Sequence, residues 1–485
     1  MTRYWLPLLA ALSLGRTTTT SFAQPATPTT PAPTAPTPPG EWRITSIDAL
    51  SEWAARQNAQ VSVAVWDLDR PRQAQLNPEL PLNPASNMKL VTAAVALDKL
   101  GPEFTFRTAL FGSLTSDGKI TKLALRGEGD PSLTEADLWR LANTLRNRGV
   151  KHVHTLLVDQ TAFDAQTLPP AFEQQPNEWA SFRAPISALS VERNTVTLNV
   201  LPQTENSPAL AWFEPGGIVQ VNGAVQTVAK GRGQNIQLSL TPLPDGRLQA
   251  TLGGHVASGL GRQRFPKRVD DPQLTAGYVL AEALKGLGIT VDRVELGVIR
   301  DLPLLSYVTS APLSQLLLPV GKHSDNFTAE MIFKTLSASP HGVASFNASS
   351  ALVETWLRSR VQLPPGTQIV NGSGLFDANR LSAATLAAVL RDAYHDPARR
   401  DVMIAHLAVG GKDGTLSNRL TAPALAGRIR AKTGTLNSSI ALSGYILREN
   451  TRPPIVFSLL ANGVAGKQGE ARKHFDAVVS ELARH

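Results

Sequence analysis

Three short motifs in this 485-residue chain carry residue types that together can perform serine acyl transfer without a histidine base: Ser86-Asn87-Met88-Lys89, Ser324-Asp325-Asn326 and Lys432-Thr433-Gly434. A serine hydroxyl is a poor nucleophile until a neighbour removes its proton. Lys89 follows Ser86 by one helical turn, and it can act as that base if burial and a second cation lower its pKa. Ser324 offers a hydroxyl that bridges the lysine and a leaving amine. Asn326 offers an amide that can hold Lys89 and a substrate carbonyl together. Lys432 and Thr433 pair a cation with a hydroxyl, suited to a substrate carboxylate, and Gly434 leaves a strand edge open to a substrate backbone.

No one of these motifs is specific alone. Ser116-Asp117-Gly118-Lys119 repeats the Ser-x-x-Lys spacing, but its Asp-Gly pair reads as a turn between strands. Ser345-Phe346-Asn347 repeats Ser-x-Asn and reads as loop. Order and local context separate the working copies from the decoys. Ser86 opens an apolar helix that runs to Leu100 and stops at Gly101, so the nucleophile sits at the positive end of a helix dipole. Ser324 lies just before a helix starting near Phe327, and Lys432 ends a strand.

The elements around these motifs divide the chain. Ile47, Leu50 and Ala54 recur at helical spacing, and a Val-rich strand, Val61 to Leu68, pairs with Gln73 to Leu76 across a turn. Beyond Leu302 helices dominate, and the chain finishes with strands Ile429 to Lys432, Ile440 to Ile446 and Ile455 to Ala461 and a last helix through Phe475 and Leu482. The two ends close into one antiparallel sheet covered by helices, an α+β fold. Between them, 104–300 is a large insertion of short β-rich runs separated by Gly, Asp and Pro turns, with helices near Leu133 to Arg148 and Leu274 to Leu284. The expected domains are 41–103 with 301–485, carrying the chemistry, and the insertion as two β-rich subdomains, 104–128 with 200–300, and 129–199.

The N-terminus reads as an export signal over 1–23, with Arg3, an apolar stretch from Tyr4 to Leu14 and cleavage after Ala23. A stiff Pro/Thr/Ala tether follows over 24–40. The expected location is therefore the periplasm or cell-wall space. Cysteine is absent, which excludes lipid attachment through that residue. The 47 basic residues outnumber 39 acidic ones, but they are spread along the chain, which argues against nucleic-acid binding. A net charge of +8 suits loose attraction to anionic envelope polymers or lipid head groups, although ordinary surface charge accounts for it more simply.

The chain resembles the class C low-molecular-mass penicillin-binding proteins, the D-alanyl-D-alanine carboxypeptidase/endopeptidases, over nearly everything after the tether. The three motifs carry the resemblance. Gly127-Glu128-Gly129-Asp130-Pro131, Ala184-Pro185-Ile186-Ser187-Ala188-Leu189-Ser190, Asn371-Gly372-Ser373-Gly374-Leu375 and Gly411-Lys412-Asp413-Gly414-Thr415-Leu416 are similar to further segments of that family. Asn371 stands where the family usually has Asp, and Asp377 interrupts the usual stretch before Asn379-Arg380. The resemblance implies a penicillin-binding fold and attack by Ser86 on the carbonyl of a penultimate D-alanine, with Lys89 as base and Ser324 as relay. It further implies that Asn326 orients the acyl chain and that Lys432 and Thr433 bind the terminal carboxylate. Backbone N–H groups of Ser86 and Thr435 would form the oxyanion hole. The implied partners are peptidoglycan peptides and, as covalent inhibitors, β-lactams; no metal or organic cofactor is implied.

Competing readings explain less. A β-lactamase shares the motifs but needs no gap as long as that from Ser86 to Ser324, and a non-catalytic wall-binding protein needs none of the chemistry. His152 and His154 fall on one side of a predicted strand, but no third ligand follows at metal spacing and no His-Glu-x-x-His occurs, so a structural role is the simpler reading. His323 abuts Ser324 and reads as a helix-edge surface residue.

Overall fold

The computed structural model describes residues 40–176, 180–339 and 342–485. The expected export signal and residues 24–39 of the tether lie outside the described residues. The central sheet has seven strands in the order Gly40–Glu41, Arg72–Leu76, Gln60–Asp67, Ile455–Asn462, Ser439–Ile446, Ile429–Thr435 and Ala408–Val409. The first pair is parallel and the rest antiparallel. Early and late strands meet in this sheet, as the sequence implied, because each set supplies two apolar faces. Val61, Val63 and Val65 pack with Phe457 and Leu459 under helices Thr45–Gln57 and Gln468–Leu482. Ala64, Val456 and Leu460 face the opposite way, toward helices Met88–Lys99 and Ala383–His395. The first helix is capped from a distance. Thr45 and Ser46 donate their backbone N–H groups to the Glu481 carboxylate at 3.0 and 2.8 Å.

Met88 to Leu97 are buried on every side, as an all-round apolar helix requires. The helix ends where Gly101 takes a φ of 82° and returns its N–H to the Leu97 carbonyl. From there the chain enters the insertion. Its main sheet orders Thr290–Leu296, His152–Asp159, Lys119–Gly127, Arg107–Leu114 and Leu304–Thr309. Helices Glu135–Asn147 and Thr275–Gly286 cover one face, through Leu138, Leu141, Val279 and Leu280. Residues 195–268 form two smaller sheets, of four and three strands, around Leu198, Val200, Leu252 and Val256.

This pairing corrects the expected grouping of 104–128 with 200–300 against 129–199. His152–Asp159 is the second strand of the main sheet, paired in parallel with Lys119–Gly127 and Thr290–Leu296. Parallel partners far apart in sequence leave no hairpin signal between them, so local reading could not join them. Leu304–Thr309, expected in the catalytic part, pairs with Arg107–Leu114 and closes the insertion instead. Ser345 is also corrected from loop to cap: its hydroxyl accepts from Ala348 N at 3.1 Å and starts helix Phe346–Arg358. The Ser116 decoy is a turn, with Gly118 at a φ of 84° and Lys119 paired to Asp117.

Candidate active site

Ser86 lies in a single 3-10 turn, Ala85–Asn87, that feeds directly into helix Met88–Lys99. Ala85 has a φ of 46°, an uncommon conformation for a residue with a side chain, and neighbouring elements hold it there. Its N–H donates to Asn83 Oδ1 at 2.9 Å. A Cβ on Gly374 would come within 1.9 Å of the Ala85 carbonyl, and one on Gly434 within 3.0 Å of Ala85 Cβ, so two glycines let the turn nest between a loop and a strand. Asn87 fastens the turn from beneath. With its amide turned to satisfy both ends, it donates to the Lys432 carbonyl at 2.9 Å and accepts from Ser443 Oγ at 2.7 Å.

Lys89 is fully buried, and its Nζ reaches Ser86 Oγ (3.1 Å), Asn326 Oδ1 (2.8 Å) and the Ser373 carbonyl (2.6 Å). Burial drives its pKa down to about 7, against the opposing pull of the Glu330 and Asp325 carboxylates. At neutral pH a large share of Lys89 is therefore an uncharged amine within hydrogen-bond reach of a serine hydroxyl. Lys432 is also fully buried. Burial, reinforced by the charge on Lys89, holds its pKa well below the ordinary lysine value. Its Nζ donates to the Thr433 carbonyl at 2.8 Å, and Thr433 Oγ1 donates to Thr415 Oγ1 at 2.8 Å.

Strand Ile429–Thr435 forms one wall of the cleft. Leu436 N bonds the Ser439 carbonyl at the hairpin end, so antiparallel alternation places Thr433 and Thr435 in the pairs whose backbone groups turn away from Ser439–Ile446. Among the described residues the Ser86 N–H has no hydrogen bond. Asn326 begins helix Asn326–Thr335, whose N-cap Asp325 accepts from Thr328 N at 2.7 Å. Ser324, at a φ of 60°, stands in the connection before it and is partly exposed. Among the described residues its hydroxyl makes no hydrogen bond, so the structure brings Ser86, Lys89 and Asn326 into one network while Ser324 stands beside it.

Several residues of the site lie outside the three motifs. Glu330 is buried one turn beyond Asn326, and its two oxygens accept from Gly372 N (3.0 Å) and Ser373 N (2.8 Å). Burial raises its pKa. It thereby fixes the loop whose Ser373 carbonyl holds Lys89. Asn371 shapes the same loop: its amide donates to the Pro170 and Leu375 carbonyls while its Oδ1 accepts from Gly374 N and Asn379 Nδ2. A carboxylate could not donate the first two bonds. Arg193 reaches in from the insertion and pairs with Asp325. It projects from a run, Glu192-Arg193-Asn194, in which all three residues have positive φ. Asn194 Nδ2 anchors the run to Pro185 O and Ser190 Oγ, both at 2.9 Å. The Ala184–Ser190 segment and the glycine-rich 127–131 segment thus act structurally. A Cβ on Gly127 would lie 2.2 Å from the Ala188 carbonyl.

A cavity of about 290 Å³ adjoins the free end of the Ile429–Thr435 strand, lined by Asn83, Gln174, Phe376, Asp377, Thr435 and Asn437 among others. Asp377 is paired with Arg380 and receives Asn83 Nδ2, and the Arg380 guanidinium holds its carboxyl below the usual range.

Comparison with known proteins finds relatives along most of the chain. The D-alanyl-D-alanine carboxypeptidase of Actinomadura sp. (strain R39) is 31% identical over 460 residues, covering 90% of this chain and 84% of that protein. The D-alanyl-D-alanine carboxypeptidase DacB of Haemophilus influenzae is 27% identical over 384 residues, 75% of this chain and 77% of its own. The fold is shared with the crystal structure of penicillin binding protein 4 from Haemophilus influenzae, at a TM-score of 0.74 and 22% identity over 90% of this chain and 99% of that one. A predatory peptidoglycan endopeptidase from Bdellovibrio bacteriovorus aligns at a TM-score of 0.51 and 16% identity, covering 88% and 93% of the two chains. Residues 45–484 match the family model, and the chain belongs to the D-Ala-D-Ala carboxypeptidase 3 (S13) family.

Proposed function

We propose that this penicillin-binding carboxypeptidase cleaves the D-Ala-D-Ala end of peptidoglycan stem peptides through an ester on Ser86. The observation that carries the assignment is the buried Lys89 amine, 3.1 Å from Ser86 Oγ and with a pKa near 7. Neutral Lys89 takes the Ser86 proton as Oγ attacks the carbonyl of the penultimate D-alanine. The oxyanion that forms is received by the unpaired Ser86 N–H and the cleft-facing Thr435 N–H. Collapse expels the terminal D-alanine, whose nitrogen takes a proton from Lys89 through Ser324. Water, deprotonated by the same amine, then hydrolyses the ester. Lys432 and Thr433 grip the terminal carboxylate, with Thr415 orienting the Thr433 hydroxyl. Asn326 holds the acyl chain and Lys89 together, and Gly434 lets the substrate backbone lie along the strand edge. The cavity past Thr435, with polar groups from Gln174, Asn83 and Asp377, receives the side chain on the acyl side.

A β-lactam presents a strained amide and a carboxylate with the same spacing, so it acylates Ser86 and leaves slowly. The same chemistry opens cross-links, giving endopeptidase action beside carboxypeptidase action. The insertion supplies Arg193 to the Ser324–Asn326 turn and frames access to the cleft. The place of action is outside the cytoplasm, where this substrate is found. Among the described residues no helix is long and apolar enough to cross a membrane.

The test is product analysis. Purified protein incubated with uncross-linked pentapeptide muropeptides should release one terminal alanine per stem, read by mass, and cross-linked dimers should yield monomers. Unchanged substrates, or rapid steady-state hydrolysis of a chromogenic β-lactam without an accumulating adduct, would contradict the proposal.

A further inference from the structure

Strand His152–Asp159 has Val153 buried beneath the insertion's helices, so alternation turns His152 and His154 to the opposite, solvent-facing side of the sheet. The next strand, Thr290–Leu296, runs parallel to it with Thr290 opposite His152 and Arg293 opposite Thr155, which brings Asp292 level with His154. His154 Nδ1 lies 2.7 Å from Asp292 Oδ2, and His152 Nε2 lies 3.3 Å from the same oxygen. All three donor atoms fall within 4.8 Å of one another. A tetrahedral ion with bonds of about 2.0–2.1 Å needs its donors about 3.3 Å apart, so small side-chain rotations suffice to receive one. A further contact can orient the set. The Thr290 hydroxyl sits 2.8 Å from His152 Nδ1, and in the tautomer whose Nδ1–H donates to it the Nε2 lone pair is directed at the cluster.

We propose that His152, His154 and Asp292 bind one zinc ion, outside the Ser86 cleft, as a clamp between the edge strand of the insertion and its neighbour. Two imidazoles and one carboxylate suit zinc, whereas calcium and magnesium require oxygen donors throughout. The fourth position opens to water. Lys119, which stands opposite His152 in the register, is held by Asp117 at 2.7 Å. Sequence spacing conceals the site because Asp292 follows His154 by 138 residues and meets it only through parallel pairing.

The test is calorimetric titration of the metal-stripped protein with zinc chloride, with magnesium chloride as control. One zinc per chain is expected, and no magnesium binding. Thr290→Val should weaken zinc about tenfold by releasing the His152 ring. His154→Ala and Asp292→Asn should weaken it further. Each variant should still be acylated by a β-lactam at the wild-type rate, which shows that it has folded. Should a variant fail that control, footprinting of the wild type decides: zinc should shield His152 and His154 from diethyl pyrocarbonate and leave the exposed His323 reactive. Absence of stoichiometric zinc binding, unaltered affinity in all three variants, or no selective shielding would overturn the proposal.

Discussion

Lys89 concentrates the chemistry in one proton. Its pKa of about 7 comes from burial, partly offset by the Glu330 and Asp325 carboxylates. The ammonium form cannot accept the Ser86 proton, so the rate of acylation by a β-lactam should fall as pH drops through about 7 and level off above it. Stopped-flow acylation across pH checks this; a rate independent of pH between 5 and 8 would contradict it. The same shift bears on stability. Between about 7 and the ordinary lysine value of 10.5 the native state holds fewer protons than the unfolded chain, so this group favours folding increasingly as pH rises through that window. Glu330→Gln removes a carboxylate that raises the Lys89 pKa, and should move the acid limb of the profile to lower pH. It also leaves one of two buried N–H groups facing an amide NH₂, costing roughly 1–3 kcal/mol of stability by chemical denaturation. At this scale the three motifs were legible because residue type and spacing are local. Glu330, Asn371 and Thr415 lie outside the motifs, and spacing does not reveal their roles because each acts through backbone groups or hydroxyls brought in from distant segments.

At the scale of elements, the site depends on how closely a turn, a strand and a helix start approach one another. A methyl group at 434 would meet Ala85 Cβ, Ala441 Cβ and the Pro84 carbonyl at 3.0 Å each. Gly434→Ala should therefore wedge the nucleophile turn from the strand, costing about 1–3 kcal/mol and slowing acylation, measured by thermal unfolding and by the adduct-forming rate. Arg193 tests the link from the insertion. Arg193→Ala leaves the Asp325 carboxylate uncompensated beside Lys89, so the acid limb should move to higher pH, the direction opposite to Glu330→Gln. The apolar patterns of the nucleophile helix and the closing strands foretold these elements, because a helix or strand buried on both sides has an unmistakable composition. Helix Pro397–Ala405 has little signature in the sequence: only Arg399 and Met403 are buried in it, so its pattern gives a weak stripe. The strained Glu192–Asn194 run was equally hidden, since positive φ at ordinary residues has no signature in residue type.

For the molecule as a whole, the sequence implied one sheet closed from both ends of the chain around a large insertion, and the seven-stranded order bears this out. The internal layout of the insertion was not readable, because strand His152–Asp159 pairs in parallel on both sides and so leaves no hairpin signal. Within it, residues 195–268 have their own small cores, and their ends meet where Thr195 pairs with Arg268. Replacing 198–265 by a short Gly-Ser turn should therefore leave a folded protein with unchanged β-lactam acylation. What should change is the ratio of dimer cleavage to terminal alanine release, measured on mixed muropeptides; an unchanged ratio would remove the module from substrate access. The central claim, an acyl-enzyme on Ser86, is tested most directly by intact-protein mass spectrometry after incubation with penicillin. A single added β-lactam mass is expected, mapped to the peptide containing Ser86 and absent in Ser86→Ala. An adduct that persists in Ser86→Ala, or none in the wild type, would contradict it.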